Sequence, residues 1–334
     1  MINFGIIGYG YWGPNLVRNF NAQADSKVLM VADGRIERLN LLKKNYPAIE
    51  TCSNADELIS NPLIDAVVIV TPVFTHFMLA KKALLEGKHV LIEKPMTSSV
   101  AEAEELIALA AKKNLVLMVD HTFLYTGAVQ KMKELIDNDS IGAIKYFDSS
   151  RINLGLFQPD VNVLWDLAPH DISILTYLIA HEPYSINATG ISHTHNQIEN
   201  IAYMTVNYQS DFIAHFNCSW TSPVKVRQTL IGGDKKMIVF NDLEPSEKIR
   251  IYDTGFDHKT EEDKTKIMVD YRTGDVFIPK ISSQEALMGV AADFINSIKT
   301  QKPPLADSVL GMKVVKILEA SQKSIKNNGM EVKL

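Results

Sequence analysis

The sequence predicts an α/β protein in two parts, a doubly wound parallel sheet followed by an α+β domain with an open, mainly antiparallel sheet. From residue 1 to about 120, short apolar segments alternate with helical ones, an order typical of a parallel sheet covered by helices on both faces. After Asp120, predicted strands follow one another at hairpin spacing, which favours antiparallel pairing. We therefore expect domains at residues 1–121 and 122–334.

The elements of the first part follow from apolar periodicity and its interruptions. The predicted strands are Ile2–Ile7, Val28–Ala32, Ala66–Val70, His89–Ile92 and Leu115–Val119. The helices between them include Asn15–Phe20, Phe74–Glu86 and Val100–Lys113. Because several strands are almost continuously apolar, we expect both faces of this sheet to be buried.

The second part is predicted to contain fewer helices and more strands. Its predicted helices are Ala128–Asp137, about Pro169–Ala180, Ala286–Thr300 and Val309–Lys326. Its predicted strands are Ile144–Ile152, Ile186–Ile191, Ile201–Tyr208, Phe212–Trp220, Val226–Ile231, Met237–Phe240 and Ile249–Tyr252. The polar stretch Asp257–Lys266 is predicted to be a solvated loop.

Length and composition exclude several classes of protein. A chain of 334 residues exceeds the usual single core, and no apolar run approaches the length of a membrane span. The N-terminus enters a strand without a basic segment, so we expect a cytoplasmic protein. A net charge of −5 with dispersed Lys and Arg does not favour nucleic-acid binding. Cys52 and Cys218 are expected to be buried free thiols.

Three glycines after the first strand predict a dinucleotide-binding turn. Gly8, Gly10 and Gly13 have the G-x-G-x-x-G spacing, which allows a sharp turn and a close approach of the backbone to a pyrophosphate. Asp33 ends the second strand 20 residues after Gly13, where an acid that binds the ribose is expected. The alternative is an ordinary strand-to-helix turn. The cofactor contacts predicted within the turn are Gly8, Gly10, Tyr11, Trp12 and Gly13.

The choice of cofactor depends on the residues at the end of the second strand. Asp33 favours NAD through the ribose hydroxyls, whereas Arg35 and Arg38 could accept the 2′-phosphate of NADP. We predict NAD, with NADP as the alternative.

Polar residues follow two further strands at the edge where an open parallel sheet binds ligands. Lys94, in Glu93-Lys94-Pro95, could stabilise an alkoxide that forms as a hydride leaves, or it could be a surface lysine in a turn. Thr71-Pro72 and His76 lie on the same rim and are predicted to contact the cofactor. Their alternative is a helix cap with a satisfied histidine.

A second cluster of chemical groups surrounds Pro169. Because proline is tolerated in the first turn of a helix, we predict that a helix begins there and that Asp166 and His170 share a face. Such a pair suits proton transfer, although a capping aspartate beside a surface histidine is the alternative. His193 and His195 would share a face of a strand, but no Cys or carboxylate cluster accompanies them, so we expect no metal site.

These motifs, in this order and at these separations, resemble the family of glucose-fructose oxidoreductase, inositol dehydrogenase and MocA-type sugar dehydrogenases. The resemblance covers the whole chain and implies an N-terminal Rossmann domain joined to the open antiparallel sheet. It also implies that Lys94, Asp166 and His170 form the catalytic set, with His170 as acid and base, and that Glu93 and Lys94 contact the cofactor. The segments 151–155 and 162–166 resemble the branch that acts on nucleotide sugars.

The chain departs from the family pattern at two places. Ala168 stands where many members have glycine, and Phe123-Leu-Tyr-Thr-Gly127 lacks the arginine and proline that are often found there. The predicted substrate contacts are therefore Tyr125, Arg151, Asn153 and His170. For Tyr125 and Arg151 the alternatives are a buried tyrosine with a satisfied hydroxyl and a strand-end arginine on the surface.

The resemblance implies NAD-dependent oxidation of a ring hydroxyl, at C3, of a nucleotide sugar such as a UDP-N-acetylhexosamine. The alternatives are an NADPH-dependent keto-sugar reductase, a free-sugar or inositol dehydrogenase, and a non-catalytic regulator that binds the cofactor. The expected partners are a small-molecule substrate and further copies of the chain, in a homodimer or homotetramer, without nucleic acid or membrane.

Overall fold

The computed structural model describes residues 1–257 and 270–334, and contacts group the chain into two units. Unit 1 contains Met1–Thr126 and Gln284–Lys316, and unit 2 contains Gly127–Ser283 and Ile317–Leu334. The sequence-based division between residues 121 and 122 stays a prediction. Residues 258–266 of the predicted solvated loop lie outside the described residues.

Unit 1 contains a six-stranded parallel sheet in the order β3-β2-β1-β4-β5-β6. Its strands are β1 Ile2–Ile7, β2 Ser26–Ala32, β3 Glu50–Cys52, β4 Ala66–Ile69, β5 His89–Glu93 and β6 Leu117–Asp120. The strand order reverses between β1 and β4, and ligands bind at the carboxyl ends of the strands beside such a reversal. The doubly wound parallel sheet predicted from the sequence is confirmed.

Helices complete unit 1 and support the sheet of unit 2. Those described are α1 Gly13–Asn21, α2 Ile36–Asn45, α3 Ala55–Ser60, α4 Val73–Leu85, α5 Val100–Lys113, α6 Gly127–Asp137, α7 Val163–Leu178, α8 Ala286–Thr300 and α9 Ser308–Lys326. Helix α8 belongs to unit 1. The ring centroid of its Phe294 lies 6.0 Å from that of Phe4 and 6.4 Å from that of Phe20. All three rings are buried, so this late segment helps to form the core of the first unit.

Unit 2 contains a nine-stranded sheet in the order β16-β13-β12-β11-β7-β10-β9-β8-β17. Its strands, with the separate pair β14 and β15, are β7 Ile144–Leu154, β8 Ser185–Ile191, β9 Ile201–Asn207, β10 Ile213–Ser219, β11 Thr221–Gly233, β12 Met237–Asn241, β13 Ile249–Tyr252, β14 Gly255–Asp257, β15 Asp270–Arg272, β16 Val276–Phe277 and β17 Val332–Lys333. Strands β7 and β10 pair in parallel, and the other described pairs of this sheet are antiparallel. The predicted mainly antiparallel sheet is confirmed.

Helix α7 begins earlier than the proline suggests, which corrects the predicted start at Pro169. Asn162 caps the helix, because its side-chain oxygen accepts hydrogen bonds from the backbone N–H groups of Leu164 at 3.1 Å and Trp165 at 3.2 Å. Pro169 therefore lies inside the helix. The prediction was wrong because a favourable N-cap upstream outweighs the cost of an interior proline.

Candidate active site

The turn after β1 is built around two glycines at which a side chain would clash with the backbone. Gly8 has a φ of +101°, and a Cβ there would lie 2.4 Å from the carbonyl oxygen of Val70. A Cβ on Gly13 would lie 2.5 Å from the carbonyl oxygen of Gly8. At Gly10 the nearest atom to a Cβ would be a guanidinium nitrogen of Arg35 at 3.7 Å. The turn is thus closely packed at Gly8 and Gly13 and open at Gly10. A phosphate-binding turn requires this combination.

Two aromatic side chains of this turn are exposed. Tyr11 is 84% exposed and Trp12 is 43% exposed. Their rings lie edge to face, with centroids 5.3 Å apart. Trp12 is also the N-cap residue of α1. Their predicted cofactor contacts stay predictions.

Asp33 is held at the end of β2 by four hydrogen bonds. Its Oδ2 accepts from the backbone N–H of Tyr9 at 2.7 Å, and its Oδ1 accepts from the backbone N–H of Arg35 at 2.9 Å. The guanidinium of Arg35 adds a bidentate ion pair. Burial raises the pKa of the Asp33 carboxyl, but these hydrogen bonds outweigh burial and hold the pKa below its usual value.

A cavity of about 370 Å³ lies at the carboxyl edge of the sheet of unit 1. It is lined by residues from the ends of β1, β2 and β4, and five of the predicted cofactor contacts take part, namely Gly8, Asp33, Arg35, Thr71 and Pro72. The cavity therefore combines a glycine turn with an acid suited to ribose hydroxyls, and the residues present fit a dinucleotide.

His76 joins the loops after β4 and β5 and is not available for direct contact with a cofactor, which corrects its predicted role. The ring is 1% exposed, with Nδ1 2.9 Å from the carbonyl oxygen of Pro95 and Nε2 2.7 Å from that of Thr71. Burial lowers the pKa of this imidazole. The satisfied histidine is the correct interpretation, and it connects Thr71 of the cavity to the loop that carries Lys94.

Beside Lys94, two acidic side chains meet at the ends of β5 and β6. Glu93 and Asp120 are register partners in the parallel ladder, so their side chains lie on the same face of the sheet. Burial and the charge of Asp120 raise the pKa of Glu93 to about 8, and burial raises the pKa of Asp120 to about 6. The charge of the Lys94 ammonium opposes both increases. Lys94 itself is half-buried.

Sequence reasoning missed Asp120 and His121 as members of this cluster. The hydroxyl of Thr122 donates to Oδ1 of Asp120 at 2.6 Å, whereas Oδ2 of Asp120 and both ring nitrogens of His121 are buried without a hydrogen-bond partner among the described residues. Burial and the charge of Lys94 lower the pKa of His121 to about 3, so its imidazole is neutral. Their position after a buried strand, like that of Lys94, was the signal that could have found them.

In unit 2, α7 places Asp166 and His170 about one turn apart. Both side chains are half-buried. The indole Nε1 of Trp220 donates a hydrogen bond to Oδ2 of Asp166 at 2.9 Å. The helix thus carries, at a spacing of one turn, an imidazole and a carboxylate that is bonded by Trp220, and this spacing suits a proton-transfer pair.

Arg151 is a buried structural arginine, which corrects its predicted role as a substrate contact. Its Nε donates to Oδ2 of Asp171 at 2.6 Å and its Nη2 donates to Oδ1 at 2.7 Å. Both side chains are 3% exposed, so the guanidinium is neither a surface group nor open to a diphosphate. The sequence could not show this, because Asp171 lies 20 residues away.

The other two predicted substrate contacts differ from one another. Tyr125 is half-buried, and its hydroxyl donates to Oδ2 of Asp293 at 2.7 Å and accepts from the backbone N–H of Ala306 at 3.3 Å, which favours the alternative of a tyrosine with a satisfied hydroxyl. Burial and the charge of Asp293 raise its pKa far above the usual value. Asn153 is half-buried on β7, and its substrate contact stays a prediction.

The described ranges also bear on other classes of function, namely metal binding and membrane spanning. Within residues 1–257 and 270–334, no group of three or more His, Cys, Asp or Glu side chains is arranged to hold a metal ion. In the same ranges, Nδ1 of His193 lies 2.8 Å from the side-chain oxygen of Asn200. None of the helices in those ranges has the length and apolarity needed to cross a membrane.

Family comparisons agree with both halves of the chain. Residues 2–121 match the oxidoreductase family with an NAD-binding Rossmann fold, and residues 129–239 match the GFO/IDH/MocA C-terminal domain. The chain belongs to the GFO/IDH/MocA oxidoreductase family. It is therefore an enzyme of the oxidoreductase class with a dinucleotide-binding domain.

Individual relatives are similar to this chain over half of its length or more. UDP-N-acetylglucosamine 3-dehydrogenase from Acidithiobacillus ferrooxidans is 29% identical over 323 residues, which cover 93% of each chain. A solved structure of that enzyme has a TM-score of 0.81 at 25% identity and covers 98% of both chains. An uncharacterised oxidoreductase of Escherichia coli is 34% identical over 181 residues, 51% of each chain.

Proposed function

We propose that this protein oxidises a ring hydroxyl, at C3, of a nucleotide sugar such as a UDP-N-acetylhexosamine. The observation that carries the proposal is the similarity to a UDP-N-acetylglucosamine 3-dehydrogenase over 93% of both chains. Supporting it, the chain contains the groups that this chemistry needs, namely the glycine turn, Lys94 at the sheet edge, and Asp166 with His170 on one helix.

We propose NAD as the cofactor of the cavity in unit 1. A bound nicotinamide dinucleotide would supply the hydride acceptor for the carbon that bears the hydroxyl. The Asp33 carboxylate, already oriented by the N–H of Tyr9, would accept from the ribose hydroxyls. NADP stays an alternative, because the guanidinium of Arg35 is 52% exposed and could turn from Asp33 to a 2′-phosphate.

The remaining roles follow from the chemistry of each side chain. The imidazole of His170 takes the hydroxyl proton, since an uncharged imidazole nitrogen can accept a proton. Asp166 orients that imidazole, and the ammonium of Lys94 stabilises the negative charge that develops on the substrate oxygen. Apart from His170, the one predicted substrate contact that we retain is Asn153. The homodimer or homotetramer and the cytoplasmic location stay predictions.

The test is oxidation of UDP-sugars followed by the absorbance of reduced cofactor. We expect turnover of a UDP-N-acetylhexosamine with NAD, weaker turnover with NADP, and little with the matching free N-acetylhexosamine. A free sugar or inositol that outperforms every UDP-sugar would replace the nucleotide-sugar assignment. Reduction of the 3-keto sugar with NADPH, without any oxidation of the hydroxyl, would favour the keto-sugar reductase.

A further inference from the structure

Helix α7 contains a weak point between its two proposed catalytic residues. Pro169 lies inside the helix and has no N–H, so the carbonyl of Trp165 lacks the hydrogen bond that residue 169 would otherwise donate. That carbonyl directly precedes Asp166, and His170 directly follows the proline. The helix backbone alone therefore holds this turn less firmly than an uninterrupted helix would.

Trp220 anchors this turn from the sheet. It connects β10 to β11, and its backbone is fixed by hydrogen bonds from its N–H to the carbonyl of Asn200 and to its carbonyl from the N–H of Gly155, both at 2.9 Å. The side chain is 1% exposed. Its indole N–H donates to Oδ2 of Asp166, 54 residues away in the sequence.

The indole is held in one orientation by close neighbours. Gly155 packs against the ring so tightly that a Cβ there would lie 2.5 Å from Cδ1 of Trp220. The ring of Phe157 meets the indole edge to face, with centroids 5.7 Å apart. Rotation of the indole would disrupt these contacts, so its N–H has a fixed direction toward the Asp166 carboxylate.

A second anchor holds the other side of the same turn. Asp171 directly follows His170, and both of its carboxylate oxygens accept from the guanidinium of Arg151 on β7. A planar, bidentate pair restricts rotation as well as distance, and burial protects this one from water. Asp166 and His170 thus lie between two contacts to the sheet.

We propose that Trp220 is a positioning residue for Asp166, and that the Arg151–Asp171 pair holds the adjoining side of the turn, so that Asp166 and His170 keep the orientation needed for proton transfer. The proposal rests on the proposed function, in which these two residues handle the proton. Trp220 and Arg151 act through α7 and need no contact with the substrate.

The kinetic test is Trp220→Phe, which keeps an aromatic ring but removes the N–H. We expect kcat to fall about tenfold, the effect of one lost hydrogen bond to a charged group, with KM for sugar and cofactor unchanged. The control is Phe216→Leu on β10, a buried residue that packs against Phe147. This variant should unfold at lower urea concentration with wild-type kcat. Wild-type kcat in Trp220→Phe, or an equal loss in Phe216→Leu, would overturn the proposal.

A second readout needs no turnover and no Trp220 variant. The chain contains three tryptophans, so ¹⁵N-labelled indole groups give three resonances, which Trp12→Phe and Trp165→Phe assign by elimination. Asp166→Ala should shift the Trp220 indole resonance and speed its hydrogen exchange. An unchanged resonance would refute the positioning contact. If the wild-type enzyme turns over no sugar, the proposed function is wrong, and the indole resonance still decides whether Trp220 holds Asp166.

Discussion

At the scale of single residues, the Asp33 carboxylate is the group most directly suited to choose between cofactors. Asp33→Ala should weaken NAD binding about 10- to 100-fold, because it removes the acceptor for the ribose hydroxyls. NADP should be affected less, since the change also removes a negative charge near the 2′-phosphate. Fluorescence titration with both cofactors measures the difference. Asp65→Ala is the matched control, because Asp65 precedes β4 at the opposite edge of the sheet.

Equal loss of NAD and NADP affinity in Asp33→Ala would contradict this assignment. A loss in Asp65→Ala as well would indicate general damage to unit 1.

Lys94 and His170 should act on the rate and not on folding. Changing either residue to Ala should lower kcat about 100-fold or more, because each acts on a charge or a proton in the transition state. Steady-state kinetics with circular dichroism separates the two effects. Lys82→Ala is a suitable control, because its partner is the exposed Asp56. Wild-type kcat in either variant would return that residue to a structural role.

The carboxyl of Glu93, a half-buried residue at the end of β5, predicts a pH-dependent component of stability. Its pKa is raised from 4.5 to about 8 in the folded chain, so unfolding at intermediate pH releases a proton. The contribution is fully present below about pH 4.5 and is lost as the pH rises through about 8. Glu93→Gln does not titrate, so the wild-type chain should lose stability relative to this variant between pH 5 and 8.

Urea unfolding at a series of pH values measures this difference. Asp120→Asn should narrow the pH range over which this stability is lost, because the charge of Asp120 contributes to the raised pKa of Glu93. Parallel stability profiles for wild type and Glu93→Gln would show that Glu93 is ionised in the folded chain.

At the scale of elements, the start of α7 depends on one side chain. Asn162 caps the helix, and its Nδ2 also donates to Glu199 at 3.0 Å and Gln322 at 2.7 Å. Asn162→Ala should lower the free energy of unfolding by about 1 kcal/mol for the cap, with a further loss for the two side-chain contacts. Urea unfolding provides the measurement.

Ser99→Ala is the comparison for this cap. Ser99 caps α5 by accepting from the N–H of Glu102 at 3.3 Å. Ser99→Ala should lower the free energy of unfolding by about 1 kcal/mol, because it removes only the cap. If Asn162→Ala is no more destabilising than Ser99→Ala, the contacts to Glu199 and Gln322 contribute nothing measurable.

At the scale of the whole molecule, each unit carries one buried thiol that reports on its opening. Cys52 lies in unit 1 and Cys218 in unit 2, and both are free and buried, as predicted. Burial raises the pKa of each thiol. Neither should react with a thiol reagent within minutes under native conditions, and each should react once its own unit unfolds.

Labelling at increasing urea, followed by mass spectrometry, assigns each modification to one cysteine. Rapid labelling of either thiol without urea would show that its surroundings open under native conditions.

The sequence by itself determined the alternation of strands and helices, the glycine turn with Asp33, and the order of the motifs that contain Lys94, Asp166 and His170. These signals are local, because strand periodicity, turn glycines and helical spacing involve residues within a few positions of one another. They were sufficient for the fold class and the family.

Only the tertiary structure decided which polar side chains bind one another within the folded chain. Arg151 pairs with Asp171 20 residues away, and Trp220 bonds Asp166 across 54 residues. Glu93 meets Asp120 because parallel pairing places the ends of β5 and β6 side by side. A guanidinium buried against a carboxylate and one open to a substrate look alike in sequence, because the difference depends on burial and on partners that only the folded chain brings together.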